Sequence, residues 1–540
     1  MHVAFVTSEI AECGFFGGLG RYVQHMASLL TTRGHTCDIF LCASENELSR
    51  DSEGIRKHGC RLIGCPMTNE TTDFDRLPVV FEIREGLAAA MSVAESLESA
   101  HSRRPYDVIH VTSARFSGLF VDLPVPMIAR FDRDLALVRQ SYGLSQTSMD
   151  SVAEMLERAA LRTASYQYAP NSLLAGRLHE MLGLHVPIIP PPAVIDPARD
   201  EWDTAWCTDT GIRNQRSLLF VGPLSRVNGA HVLADALPRV FSECPDAHIH
   251  LVGLNQGSWE ALLDQSGGFR SHIHYHGFQE GRRLYPMVEA ARGVVAPAVA
   301  GGQTHTVIEA MALGTPVIAP SQSGHDQLMT GSGAGLLVHP NRAGDLADAM
   351  IRILTMGDDE RCALGERGRV AVARDCSATE SVDRFVSLCQ NAVEHGPIAP
   401  LDRHARGRAL CADICAFLGG TSPLAPAPKQ DMQRRLAAVA ERLRKDGIDG
   451  VVVYGAGEAG RIMVGEILAR GIEVLYLVDR DPRLQGKVVT GLEVVSLEDA
   501  VKRGATTFAI ASLAFAGEMV RTIQKRYDRE NVIPRIFSPL

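Results

Sequence analysis

Residues 6–40 read VTSEIAECGFFGGLGRYVQHMASLLTTRGHTCDIF, and this stretch decides the fold. The apolar run VAFVTSE (3–9) has strand length and is followed by a glycine cluster, Gly17-Gly18-Leu19-Gly20. Arg21 to Thr32 carries helical periodicity, Arg33-Gly34-His35 closes it, and CDIFLCA (37–43) opens a second strand. Strand, glycine turn, helix and strand in that order predict a βαβ unit and a parallel sheet. Working outward, DVIHV (107–111) and PMIARF (126–131) read as further strands of the same sheet. The pattern restarts at SLLFVG (217–222) and continues through HIHLVG (248–253), GVVAPA (293–298) and TPVIAP (315–320). Between the two series, residues 188–210 are rich in proline, aspartate and tryptophan and read as a hinge. A third restart follows LGGTSPLAPAPKQ (418–430), a proline- and glycine-rich stretch that reads as a linker. A helix over Met432–Lys445 then leads into GVVVYGAGEAGRIM (450–463).

The composition removes several classes of function. The chain has 540 residues, 46% hydrophobic and 22% charged, with a formal net charge of −9 that argues against a nucleic-acid partner. It contains no apolar run of the length that spans a bilayer. The start, MHVAFVTSEI, lacks the basic and long apolar regions of a secretory leader, so a cytoplasmic location is expected. Twelve cysteines are too dilute for a disulfide scaffold. The close pairs Cys60/Cys65 and Cys411/Cys415 do not have zinc-site spacing, and no metal is expected.

Glycines between a first strand and a first helix let a backbone approach a ligand, and the helix start offers unpaired N–H groups. A tight strand-to-helix turn needs glycine for steric reasons as well. The wider stretch resembles the opening of GT-B-fold glycosyltransferases of the glycogen synthase and sucrose synthase type. There a Gly-Gly-Leu-Gly loop precedes a helix ending in Arg-Gly-His. The resemblance includes Asp107-Val108-Ile109-His110 and returns at FVGPLSRVNGAHVLADAL and VIEAMALGTPVIAPSQSGHDQLMTGSGAGLLV, covering roughly residues 1–392.

The resemblance implies a GT-B fold, two Rossmann-like domains facing a cleft. The expected division is 1–205 on the acceptor side, 206–392 on the nucleotide-sugar side, 393–430 as linker and 431–540 as a third domain. It implies that Gly18 and Gly20 lie near phosphate and acceptor. Glu309, in Val307-Ile308-Glu309-Ala310-Met311, matches the glutamate that accepts hydrogen bonds from the nucleotide ribose. Such chemistry suits a carboxylate, which takes two vicinal hydroxyls at once. Backbone groups at Thr304 and His305 would meet the diphosphate.

The same comparison exposes departures. The glutamate expected eight positions before Glu309 is Gly301, and Gln303-Thr304-His305 replaces Phe-Gly-Leu. The diphosphate loop reads Gly222-Pro223-Leu224-Ser225-Arg226-Val227-Asn228-Gly229, with proline and asparagine where the family has Arg and Lys. Losing one such donor commonly costs about 2.7–4 kcal/mol of transition-state stabilisation. Arg226 is the candidate replacement cation. Thr112 stands where the family often has a second histidine after His110, and Arg130-Phe131-Asp132 replaces a strand-end histidine. His110 and Asp132 are the remaining catalytic candidates; a buried structural histidine is the competing reading at His110.

In the last unit, Gly455-Ala456-Gly457-Glu458-Ala459-Gly460 sits between a strand and a helix, with Asp479 ending the next strand. This spacing suits a dinucleotide or nucleotide, glycines admitting the phosphates and Asp479 accepting from a ribose. The unit resembles the small Rossmann-like domains that open nucleotide-sugar dehydratases of the capsule-synthesis type and sugar acyltransferases. No Tyr-x-x-x-Lys dehydrogenase pair accompanies it, which disfavours a dehydrogenase.

The chain is therefore expected to be an α/β glycosyltransferase with a third, smaller Rossmann-like domain. It would use a UDP-, GDP- or ADP-sugar donor and a glycan or glycoconjugate acceptor, with retention, no metal and no required cofactor. Peripheral membrane contact is compatible with lipid-linked acceptors. The alternative is a degenerate transferase acting as a scaffold or nucleotide-binding protein.

Overall fold

A computed structural model describes residues 1–9, 18–41, 59–65, 79, 81–141, 146–213, 215–255, 262, 267–298, 305–397, 409–410, 413–414, 428–481, 484–511, 516–527 and 534–538. It contains three six-stranded sheets. The first is built from β1 (His2–Thr7), β2 (Thr36–Leu41), β3 (Arg61–Gly64), β4 (Val108–Thr112), β5 (Met127–Arg130) and β6 (Tyr166–Tyr168). Their order is β3-β2-β1-β4-β5-β6, parallel throughout. The second comprises β7 (Arg216–Val221), β8 (Ala247–Val252), β9 (Ile273–Tyr275), β10 (Gly293–Val295), β11 (Val317–Pro320) and β12 (Leu336–Val338). It repeats the same doubly wound arrangement, in the order β12-β11-β10-β7-β8-β9. The strand order reverses beside β1 in one sheet and beside β7 in the other, where ligands of open α/β sheets bind.

The long strands follow directly from the sequence. All six residues of β1 are buried, as expected for a strand covered on both faces. The helix α1 (Gly18–Thr32) buries Tyr22, Val23, Met26, Ala27 and Leu30, one apolar face at helical spacing. It stops at a turn where Gly34 takes a φ of +82°, a conformation costly for any residue with a Cβ. In the second half α2 (Ala230–Glu243) follows β7, and α3 (His305–Ala312) precedes β11.

A helix late in the sequence joins the first sheet's core. Helix α4 (Ala378–His395) starts at Ser377, whose hydroxyl accepts from the Glu380 amide at 3.1 Å. Its Val382, Phe385, Cys389 and Ala392 pack in one cluster with Phe5, Tyr22, Ile128 and Tyr168. The two halves therefore share a core.

The hinge is more regular than its composition predicts. Thr204–Asp209 is a short helix, capped by the Asp203 side chain, which accepts from the Trp206 amide at 3.1 Å, and anchored by buried Cys207. The stretch read as linker also differs. A helix over Pro428–Lys445 begins inside it, and residues 415–427 lie outside the described set. Proline is well tolerated in a first helical turn, where its missing N–H has no partner to lose.

The third sheet comprises β13 (Gly450–Tyr454), β14 (Glu473–Val478), β15 (Val488–Val489), β16 (Leu492–Val495), β17 (Thr507–Ile510) and β18 (Arg535–Phe537). Its order is β15-β16-β14-β13-β17-β18, with only the β15–β16 edge pair antiparallel. This sheet lies in a different compact unit from the first two. Among the described residues no helix is long and apolar enough to cross a membrane.

Candidate active site

The first sheet ends its strands in a polar cluster. Past β1, the Thr7 hydroxyl donates to the Glu9 carbonyl at 3.1 Å and accepts from the Glu9 amide at 3.2 Å in a tight turn. The Glu9 carboxylate then turns to the start of α1 and accepts from the amides of Leu19 and Gly20, at 3.2 and 3.4 Å. Those amides, expected to meet a phosphate, are thus already satisfied by a carboxylate of the chain itself. Gly20 is obligatory here, since a Cβ would stand 2.2 Å from the Glu9 carbonyl oxygen. Burial raises the Glu9 pKa above the usual carboxylate value, with Arg133 and the two amides pulling it back. Gly18 leaves space beside it; a Cβ there would meet the His305 ring at 3.7 Å.

Deeper in the cluster, β5 ends at Arg130, and Asp132 follows two residues beyond it. The Arg130 Nε lies 2.5 Å from an Asp132 oxygen, and the guanidinium stacks 3.6 Å from the Tyr22 ring centre. The Asp132 amide donates to the Ser113 hydroxyl at 3.2 Å. Burial raises the Asp132 pKa, opposed by Arg130. For Arg130 burial works against the charge, but Asp132 and the tyrosines hold its pKa above normal. This is a locked pair.

His110 lies beneath it, with no exposed surface. Its Nε2 is 2.8 Å from the Tyr168 hydroxyl, which is 2.6 Å from that of Tyr22. Phe5 and Phe385 pack on the ring, with centres at 5.0 and 5.6 Å. Burial, then Arg130, drives its pKa down to about 3, so the ring is neutral. Through Tyr168 and Tyr22 it supports the Arg130 platform, the geometry of a positioning residue.

Glu309 sits on α3 in the second half, with a side chain only 3% exposed. One Arg21 guanidinium nitrogen donates to both its oxygens, at 2.8 and 3.0 Å, and the Tyr285 hydroxyl donates at 3.3 Å. Arg21 belongs to α1, so this ion pair joins the two halves. His305, the first residue of α3, is buried, and its Nε2 has no hydrogen-bond partner. Its ring stands edge-on to His25 at 5.8 Å. Burial first, then the charges of His25, Arg21 and Arg130, push its pKa well below the normal value. Thr304, Gln303 and Gly301 lie outside the described residues.

Arg226 is exposed on the turn between β7 and α2. That turn is closed by the Gly229 amide donating to the Arg226 carbonyl at 3.0 Å. Gly229 is packed so closely that a Cβ would come within 2.4 Å of the Pro297 carbonyl oxygen. Asn228 donates to the Ser225 hydroxyl at 2.9 Å, stiffening the loop from within. After burial, the Arg226 charge is the next cause lowering the His231 pKa. Across the cleft, Asn171 caps its helix by accepting from the Leu174 amide at 2.9 Å, and its side chain abuts Gly324.

In the third sheet, Gly455 takes a φ of +114°, and a Cβ on Gly460 would come within 2.0 Å of the Gly455 oxygen. Gly457 caps α5 (Glu458–Leu468) without a side-chain bond, and a Cβ there would meet nothing within 4 Å. Asp479 accepts from the Ala456 amide at 2.7 Å and from the Asp481 amide at 2.9 Å. The acidic residue thus ties down the glycine loop. Among the described residues no group of three or more His, Cys, Asp or Glu side chains is placed to hold a metal.

The two doubly wound sheets, joined through the Arg21–Glu309 pair, have the arrangement of a GT-B fold. Comparison with known proteins agrees. Residues 17–192 match the model "Glycosyl transferase 4-like domain" and residues 215–356 match "Glycosyl transferases group 1". The chain is a group 1 glycosyltransferase of the GT-B fold. Among curated relatives, D-inositol 3-phosphate glycosyltransferase of Corynebacterium jeikeium (strain K411) is 26% identical over 394 residues, 68% of this chain and 91% of the relative. Sucrose-phosphate synthase from Thermosynechococcus elongatus superposes with a TM-score of 0.57 at 19% identity, covering 72% of this chain and 98% of that one. Anabaena HepE in complex with UDP and glucose superposes at 0.56 and 17% identity, covering 72% and 100%. Neither family model reaches the third sheet.

Proposed function

We propose that the cleft of this glycosyltransferase takes a UDP-, GDP- or ADP-sugar and transfers the sugar to a glycan or glycoconjugate, with retention and with cationic side chains in place of a metal. The observation that carries this reading is Glu309, a buried carboxylate whose oxygens face donors from both halves. A carboxylate so placed can exchange its present partners for two ribose hydroxyls. The Corynebacterium jeikeium relative is named D-inositol 3-phosphate glycosyltransferase, and HepE was solved with UDP and glucose, which supports the nucleotide-sugar chemistry.

In this reading residues 1–205 form the acceptor side and residues 206–392 the donor side. The α3 start, with His305 and the preceding Thr304, receives the diphosphate. Arg226 lies on the loop that follows β7 and supplies one cation to the leaving group. Asp132 holds Arg130 rigid at the strand ends, and Gly18 and Gly20 keep the α1 start close to acceptor and phosphate. The Gly455–Gly460 loop with Asp479 forms a separate nucleotide site in the third sheet.

Calorimetric titration of the full chain with UDP, GDP and ADP tests the central assignment. Glu309→Ala should weaken the nucleotide that binds by about 1.5–3 kcal/mol, the worth of a charge-assisted hydrogen bond. Unchanged affinity would remove Glu309 from the ribose.

A further inference from the structure

We propose that Arg21 is a second leaving-group cation, delivered from the acceptor half: on donor binding its guanidinium passes from Glu309 to the nucleoside diphosphate, and the ribose hydroxyls take its place on Glu309. This inference rests on the reading of the cleft as the nucleotide-sugar site.

Three observations converge on it. The first is a deficit of charge. Pro223 and Asn228 occupy the positions where the resembled family carries two cations, and Asn228 is turned inward to Ser225. A diphosphate leaving with its bonding electron pair needs compensation in a partly desolvated site. The second is the placement of the available cations. Arg130 is buried and held by Asp132 and the Tyr22 ring, so it cannot follow a ligand. Arg21 keeps 27% of its side chain exposed and touches the same carboxylate assigned to the ribose. Its charge also reaches His305 at the start of α3, the end of that helix to which the functional reading gives the phosphates.

The third is the energetics of the buried carboxylate. A buried carboxylate without a counter-charge is strongly destabilising, so Glu309 needs Arg21 while no ligand is present. Two ribose hydroxyls satisfy the same oxygens once the donor arrives. The guanidinium is then freed next to the group that most needs it, and its planar fork suits two phosphate oxygens. Because Arg21 lies on α1 and Glu309 on α3, the exchange would couple donor binding to the contact between the halves.

The test uses the full chain and six probes: UDP, GDP and ADP, each against its nucleoside. Arg21→Gln should weaken the diphosphate that binds by about tenfold or more, while its nucleoside binds as well as before or better. Arg21→Lys, which keeps the charge but not the fork, should fall between. If removing Arg21 alone unfolds the protein by stranding Glu309, Glu309→Gln is compared with the double variant Arg21→Gln, Glu309→Gln. The double variant should then show the diphosphate loss without a buried unpaired charge. Diphosphate affinity equal to or tighter than wild type in Arg21→Gln would make Arg21 a latch on the empty site and overturn the proposal. Equal losses for diphosphate and nucleoside would also overturn it. A wild-type cleft that binds none of the six probes would overturn the functional reading itself, and this inference with it.

Discussion

Buried charge gives the clearest residue-scale predictions in this protein. Glu157, on the helix Ser148–Thr163, is 2% exposed, and burial pushes its pKa up to about 8, with Asp134 and Glu154 adding to the rise and Arg133 opposing it. Between the ordinary value of 4.5 and about 8 the folded protein keeps a proton that the unfolded chain releases. The stability contributed by neutral Glu157 is therefore fully present below 4.5 and is lost as pH rises through about 8. Glu157→Gln cannot ionise, so its stability relative to wild type should grow by about 1–3 kcal/mol from pH 5 to pH 8, read from urea unfolding curves. A difference independent of pH would show that Glu157 titrates normally. At this scale the sequence is legible in part. Glu309 and Asp132 stand out because each occupies a motif position with a chemical requirement. The Arg21–Glu309 pair does not, since its members are 288 residues apart and a helix pattern cannot say what meets its exposed end. The one available signal is a cation directly after the glycine loop. Glu9 is missed for the same reason, since its bonds join it to Leu19 and Gly20, ten and eleven positions on.

Elements were legible in proportion to their length and burial. Strands such as β1, β2, β7 and β8 are six residues long and mostly buried, with apolar residues at most positions, and they are plain from the sequence. The three-residue strands β6 and β9 are defined by neighbours rather than by composition, so no local pattern marks them. Helix α4 shows the limit more sharply. Its apolar face is readable, but its packing on the first sheet is a tertiary fact. Phe385 carries that packing: it is fully buried, with its ring centre 5.8 Å from Phe5, 5.6 Å from His110 and 6.1 Å from Tyr168. Phe385→Ala should cost about 3–5 kcal/mol, with a matching fall in the unfolding midpoint. It should also raise the accessibility of Tyr168, because α4 closes the core that holds the His110–Tyr168–Tyr22 chain. A loss below about 1 kcal/mol would mean that the helix is not anchored there.

Among the described residues one architectural device recurs, a doubly wound sheet whose order reverses beside its first strand, at β1, β7 and β13. The first two reversals belong to one compact unit and the third to another. Independent switch points allow independent ligands, so the nucleotide site proposed at the third loop can be tested separately from the cleft. Gly455 and Gly460 are needed by the fold, one for its φ and one for close packing, whereas Gly457 is not. Its φ of −74° and ψ of −159° suit any residue, and open space lies where a Cβ would project. The proposed nucleotide site gives such a glycine a role, because phosphates approach the backbone closely in this motif. Gly457→Val should therefore leave the unfolding midpoint nearly unchanged while abolishing the nucleotide-binding event that Glu309→Ala leaves at wild-type affinity. The converse should hold as well, with Gly457→Val sparing the nucleotide bound in the cleft. If titrations of NAD, UDP, GDP and ADP into the full-length Glu309→Ala protein show no residual binding, the third loop holds no such ligand. Its glycines would then serve only the turn from β13 into α5.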